Sequence, residues 1–337
     1  MATKMKRLLG ELTTGRIKGL RALDALKTYR YLRIGMIGAV VLLGVSILLE
    51  SSRAHNAVTT AGWCLQDSIS AYYFTPVRAI FVASMFIVGF ALIAYKGHNV
   101  WEDFLLNIAG MFAPIVAIVP TTTVGDCWSI EPSPLPVTGE GSLANWVVTN
   151  IDNNIDALLI VGSLAVLVAF MIWLVTKQDP KRLDEIQPGT GWLLSATALG
   201  LLAAGLLKFY GRDFFLANAH GKAAILFFVF LWFAIITSVV QHWGAPSRRY
   251  GTWYMVIAAA MVVGIPVSFL FGDHQILALE AWEIIAFATY WIVQTVENWY
   301  EKVITPKVDD LHVELTQPSA PASVGADSNV TEPGGAE

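Results

Sequence analysis

Eight apolar blocks, none containing Lys or Arg, limit what this chain can fold into: Ile34 to Leu49, Ala79 to Tyr95, Phe104 to Val119, Ala157 to Val175, Gly191 to Leu207, Ala223 to Val240, Thr252 to Phe271 and Ile276 to Val296. A helix needs roughly 17 to 25 apolar residues to cross the hydrocarbon of a bilayer, and several of these blocks lie near the lower end. Lipid offers a bare backbone no hydrogen-bond partner, so blocks of this length are expected to be helices. A β-barrel would show shorter, alternating strands. Composition agrees: 55% of the 337 residues are hydrophobic and only 14% charged, against about 25% charged in an average soluble domain. The expected fold is all-α, a polytopic transmembrane helical bundle of about eight spans.

Basic residues set the expected orientation, because Lys and Arg are retained on the cytoplasmic side during insertion. With the N-terminus inside, the inner segments hold nine basic residues before Ile34, then Lys96, Lys177, Lys181, Arg182, Arg248, Arg249, Lys302 and Lys307. The outer segments hold Arg53, Arg78, Lys208, Arg212 and Lys222. Thus 17 of the 22 basic residues fall inside, and an even number of spans with both termini cytoplasmic follows. The location expected is a plasma (inner) membrane. Residues 1–33 look like a basic amphipathic interfacial helix or topology signal, 34–300 a transmembrane domain, and 301–337 a disordered cytoplasmic tail with too little apolar content to fold.

The two cysteines, Cys64 and Cys127, both fall in outer loops under this topology. An oxidising exterior would allow a disulfide between those loops, the alternative being two free thiols. The densest polar stretch runs from Gln66 to Arg78 and includes Asp67, Ser68, Ser70, Tyr72 and Tyr73. Arg78 there is either a snorkelling interfacial side chain with Tyr72 and Tyr73 as aromatic anchors, or part of an outer pocket for an anionic or hydroxylated ligand. Asp156, in the polar run Asn150 to Asp156, is read as a helix-start residue that complements the helix dipole.

The final block carries the costliest residues, Glu280 and Glu283. Spacings of three, four and seven put Glu283, Phe287, Tyr290, Gln294 and Glu297 on one helical face. Carboxylates within a span face the protein interior or a water-filled cavity. Arg78, Lys208, Arg212 and His220 are possible partners, with Arg78 the best placed; a bundle-locking salt bridge and a proton relay both remain open. The six histidines, His55, His98, His220, His242, His274 and His312, show no i, i+4 pair of the kind that holds a metal on one helix face. No metal, cofactor or nucleic-acid partner is expected.

The stretch Ser70-Ala71-Tyr72-Tyr73-Phe74-Thr75-Pro76-Val77-Arg78-Ala79-Ile80-Phe81-Val82, with Gly89, Tyr95-Lys96-Gly97, Glu280, Phe287 and Trp291, resembles a widespread group of uncharacterised bacterial multi-span membrane proteins. That resemblance implies fold and membrane location, and no activity. Members of the group often have a His at the outer start of the fourth span, where this chain has Asn153, Asn154 and Asp156. Asp67 with Ser68 or Ser70 is more remotely similar to ceramidase and adiponectin-receptor-type membrane hydrolases, although a late paired His is missing. Three functions are therefore carried forward. The first is a non-enzymatic protein that binds a lipid or small molecule in an outer pocket or acts as a scaffold or sensor; its partners would be membrane lipids and that ligand. The second is a secondary transporter using intramembrane carboxylates, and the third a zinc hydrolase acting on lipid.

Overall fold

The computed structural model describes residues 27–28, 30–55, 63–95, 97, 99–138, 142–178, 190–243 and 248–299. Most of the basic segment 1–33 and all of the tail 301–337 lie outside the described residues. The described chain is all-α, with eight principal helices: α1 (Arg30–Ser51), α2 (Arg78–Ala94), α3 (Val100–Ile118), α4 (Asn145–Gln178), α5 (Thr190–Tyr210), α6 (Arg212–His242), α7 (Arg248–Ser268) and α8 (Gln275–Asn298). Each apolar block lies within or almost within one of them. Six helical stretches are long and apolar enough to cross a membrane; the last of these, Arg249–Asn298, contains both α7 and α8, and α2 is a shorter apolar helix of 17 residues.

The helices are antiparallel neighbours, so the bundle has two poles. At one, the guanidinium of Arg30 donates to the carbonyl of Trp299, bringing the start of α1 to the end of α8. Arg33 donates to the Gln294 carbonyl at 3.1 Å and to the Tyr95 hydroxyl at 2.8 Å, which adds the end of α2. At the other pole, His55 and Trp128 form an antiparallel bridge, and Cys64 is joined to Cys127 by a disulfide with the Cα atoms 5.5 Å apart. We refer to these as the terminal pole and the disulfide pole.

Local chemistry explains where helices start. Asn99 caps α3, its side chain accepting from the Glu102 N–H at 2.9 Å, and Glu102 and Asp103 place acidic groups in the first turn, where the helix dipole favours them. Before α2, Ser68 caps a 3-10 turn over Ile69–Phe74 by accepting from the Ser70 N–H at 3.0 Å. Between α7 and α8 the chain reverses at Gly272, whose φ of 55° is one that side-chain-bearing residues rarely adopt.

The central helix is α3, packed against α2 and α6, while α7 joins α6 to α8. Burial follows two clusters. One, toward the terminal pole, contains Leu92, Tyr95, Leu106, Leu231, Tyr254, Tyr290 and Trp291. The other, toward the disulfide pole, contains Leu43, Tyr72, Tyr73, Phe81, Val119 and Ile151. Helix α5 buries none of its residues and α4 only Val147, Ile151 and Ile155, so this pair flanks the bundle.

The α2–α3 crossing depends on two glycines. A Cβ at Gly89 would stand 2.8 Å from the Gly110 carbonyl oxygen, and one at Gly110 would stand 2.7 Å from that of Gly89. Close backbone approach through small residues is how apolar helices gain contact when the surrounding medium is itself apolar. Gly110→Leu must therefore separate the helices, and the expected loss is about 3 kcal/mol, the upper end of ordinary overpacking costs. Unfolding of the purified variant measures it; a Gly110→Leu protein as stable as the parent would contradict this packing.

Candidate functional site

Glu280 lies in the second turn of α8, and its carboxylate is held by the 3-10 turn. Its Oε2 accepts from the Ser68 hydroxyl at 2.7 Å and the Ile69 N–H at 2.6 Å, and its Oε1 accepts from the Ser70 hydroxyl at 3.3 Å. The Leu277 N–H, one of the unpaired donors at the start of α8, donates to the Asp67 carbonyl at 3.1 Å. The polar stretch Asp67–Ser70 and the start of α8 thus form one unit, although more than 200 residues separate Ser68 from Glu280.

Below this unit a partly open cleft enters the bundle. It has a cavity volume of about 60 Å³ between α1, α2, α3, α6 and α8. Val40 and Leu43 line one side, with Phe81, Ser84 and Val88 from α2 and Phe227, Phe228 and Phe287 opposite; Ser70 and Glu280 are its polar residues besides Ser84. The Ser84 hydroxyl is turned away to the Ala39 carbonyl at 3.1 Å. One turn further along α8, Glu283 is only 7% exposed, and its Oε2 has no hydrogen-bond partner among the described residues.

The expected approach of Arg78 to Glu280 or Glu283 is not what the structure has. The Arg78 Nη2 donates to the Tyr73 hydroxyl at 2.7 Å, and the guanidinium lies 4.4 Å from the centre of the Tyr73 ring. The physical reason is local: a tyrosine five residues back offers both an acceptor and a π face, while Glu280 is already engaged by three donors. The other proposed cations are also committed elsewhere. Lys208 pairs with Asp156 and lies 3.6 Å from Asp152, Arg212 lies 2.5 Å from Asp152, and His220 Nδ1 meets the Val119 carbonyl at 2.6 Å. Asp156 is not a helix-start residue, because α4 begins eleven residues earlier at Asn145. It joins α4 to the α5–α6 corner instead.

The remaining polar residues fasten the disulfide pole. The Tyr72 hydroxyl and the Ser51 hydroxyl are 2.6 Å apart, Glu50 accepts from the Ser129 hydroxyl at 2.6 Å, and Gln66 accepts from the Gly125 N–H at 2.9 Å while donating to the Cys127 carbonyl. Burial raises the Tyr72 hydroxyl above its ordinary range. Burial likewise raises the Asp67 carboxyl, opposed by His274, whose Nδ1 is 3.8 Å away. Among the described residues no three His, Cys, Asp or Glu side chains are placed to share a metal ion.

A second polar network, at the terminal pole, escaped the sequence reading. Glu102, fully buried, accepts from the Tyr290 hydroxyl at 3.0 Å and from Gln294 Nε2 at 2.8 Å. Beside it, His242 Nε2 lies 2.6 Å from Glu297 Oε1, and the Tyr254 hydroxyl donates to the other Glu297 oxygen. The shared face of Tyr290, Gln294 and Glu297 was visible from spacing. Glu102, the partner of Tyr290 and Gln294, was not, because it precedes the third apolar block.

No family model, no curated protein and no solved structure matches this chain. The site must be interpreted from its own chemistry.

Proposed function

We propose that this chain is an integral membrane protein that crosses the bilayer eight times, with both termini and the terminal pole on the cytoplasmic side, and that its outer cleft binds an amphiphile. The ligand's chain enters the apolar slot between α2, α6 and α8 as that slot widens from its resting volume of about 60 Å³, and its head reaches Glu280 and Ser70. One observation carries this reading: a partly open apolar cleft is lined by a carboxylate, that of Glu280. Carboxylates are expensive in hydrocarbon and within membrane proteins mark functional positions. The asymmetry of basic residues supports the orientation.

Two measurements test it. Labels at either terminus should report cytoplasm and labels within 124–138 the exterior; a loop at 124–138 that reports cytoplasm would overturn the topology. Native mass spectrometry of gently extracted protein should find a retained lipid-like adduct, and Val88→Trp, which fills the cleft, should remove it. Adducts unchanged by Val88→Trp would place the ligand elsewhere.

The transporter reading retains support from the polar face of α8, which carries Glu280, Glu283, Tyr290, Gln294 and Glu297 from one pole to the other. Proton flux in proteoliposomes that disappears in Glu283→Gln would favour it over a binding role.

A further inference from the structure

We infer that the groove between α4 and α5 is a site for an anionic phospholipid, with one acyl chain lying in the groove and the phosphate meeting Lys177. The site is separate from the central cleft and does not depend on the amphiphile-binding reading. Only its leaflet, the cytoplasmic one, rests on the topology proposed above.

The groove comes from the way the two helices touch. Toward the disulfide pole they approach closely, and a Cβ at Gly162 would stand 3.2 Å from the Leu201 side chain. Nearer the end of α4 the Trp173 indole reaches across to the start of α5, where a Cβ at Gly191 would stand 3.5 Å from it. Between these contacts lies a partly open cavity of about 370 Å³, far larger than the central cleft. That volume falls in the range of roughly 300 to 1,000 Å³ usual for ligand sites. Leu167, Phe170 and Trp173 line it from α4, and Gly191, Ser195 and Ala198 from α5. Its surroundings are lipid-facing, since α5 buries none of its residues and α4 none beyond Ile155. An apolar space of this kind stays dry, so in a bilayer an acyl chain fills it.

The charge at the mouth selects the head group. Helix α4 leaves the core of the disulfide pole at Ile151 and Ile155 and ends at Gln178. In its last turn, Lys177 holds its ammonium 4.9 Å from the centre of the Trp173 ring, which itself lines the groove. Trp192, 80% exposed at the start of α5, marks the same end as interfacial, the depth at which tryptophan and phospholipid head groups meet. From Leu158 to Gln178 and from Thr190 to Leu207 the two helices carry one charged side chain, that of Lys177. It pairs with no carboxylate among the described residues. The site is therefore an apolar slot with one unneutralised positive charge at head-group depth. A phosphate with no counter-charge of its own gains that pair, a zwitterionic head already carries an ammonium beside its phosphate, and a cationic amphiphile meets repulsion.

The experiment uses the full chain, delipidated in mild detergent. Dioleoylphosphatidylglycerol and dioleoylphosphatidylcholine are added back in competition, and bound lipid is counted by native mass spectrometry. Phosphatidylglycerol should be retained about fivefold over phosphatidylcholine, the discrimination expected of one lysine at an anionic head group. Lys177→Gln should abolish the preference and Lys177→Arg should keep it. Ala198→Trp, which fills the groove without altering charge, should lower retention of both lipids, whereas Val88→Trp, in the central cleft, should leave the preference as it is. Lys177 and Ala198 are both exposed on the flanking helix pair, so these variants keep the fold. Equal retention of the two lipids by the parent protein, a preference that survives Lys177→Gln, or retention unchanged in Ala198→Trp overturns the inference. A preference lost in Val88→Trp overturns it as well, by moving the anionic lipid to the central cleft. A Lys177-dependent preference with no adduct sensitive to Val88→Trp would support the groove while removing the amphiphile reading.

Discussion

Glu102→Ala should destabilise the protein by about 2 to 6 kcal/mol, because two buried donors lose their acceptor at about 1 to 3 kcal/mol each. The donors are the Tyr290 hydroxyl and Gln294 Nε2, 3.0 and 2.8 Å from Glu102 Oε1. Neither reaches the surface, since Tyr290 and Gln294 are both fully buried. Their mutual contact at 2.9 Å offsets part of the loss. Glu102→Gln retains an acceptor oxygen and should recover much of the stability. Unfolding of purified protein in a mild detergent gives the comparison; equal, small losses for the two variants would mean that Glu102 does not organise the terminal pole.

Glu280→Ala acts at the opposite end of the bundle and should have an effect of similar size. Hydrogen bonds to a charged group contribute about 1.5 to 3 kcal/mol each, and three donors converge on Glu280. The two serine hydroxyls can rotate to other partners, whereas the Ile69 N–H cannot, so a net loss of about 2 to 4 kcal/mol is expected. Its signature is local. Amide exchange should accelerate through Ser68–Phe74, the turn that Glu280 holds, while the amides of Tyr290–Asn298 keep their protection. Because the two sites share no partner, the losses in a Glu102→Ala, Glu280→Ala double variant should add. Exchange rates at Ser68–Phe74 that match the parent would show that the turn is held by its own Ser68 cap and by the Thr75 hydroxyl, which donates to the Tyr72 carbonyl at 2.9 Å.

What could be read from the sequence follows the physics of each feature. Helical class was legible because every apolar block is long, uninterrupted and free of Lys and Arg, a property of the segment itself. Helix ends were less so: α4 starts at Asn145, well before its apolar block, because Asp152 and Asp156 find Lys208 and Arg212 across space. Of the candidate site, Glu280, Ser68 and Ser70 do come together, but the reasoning that grouped them relied on Arg78, which turns to Tyr73 instead. Only tertiary structure could reveal that choice, since a cation at a helix start has several partners within reach. The cleft was hidden for the same reason. Phe81, Phe227, Phe228 and Phe287 are ordinary residues of three separate apolar blocks, and the space between them arises only when α2, α6 and α8 come together beside Val40 and Leu43 of α1.

The most direct test of the cleft as a binding site is a cryo-electron microscopy map of the full chain in lipid nanodiscs. An elongated density between Val88, Phe227 and Phe287, ending beside the Glu280 carboxylate, is the result expected. A well-resolved map in which those side chains close on one another and Glu280 is bound only by Ser68, Ile69 and Ser70 would contradict it.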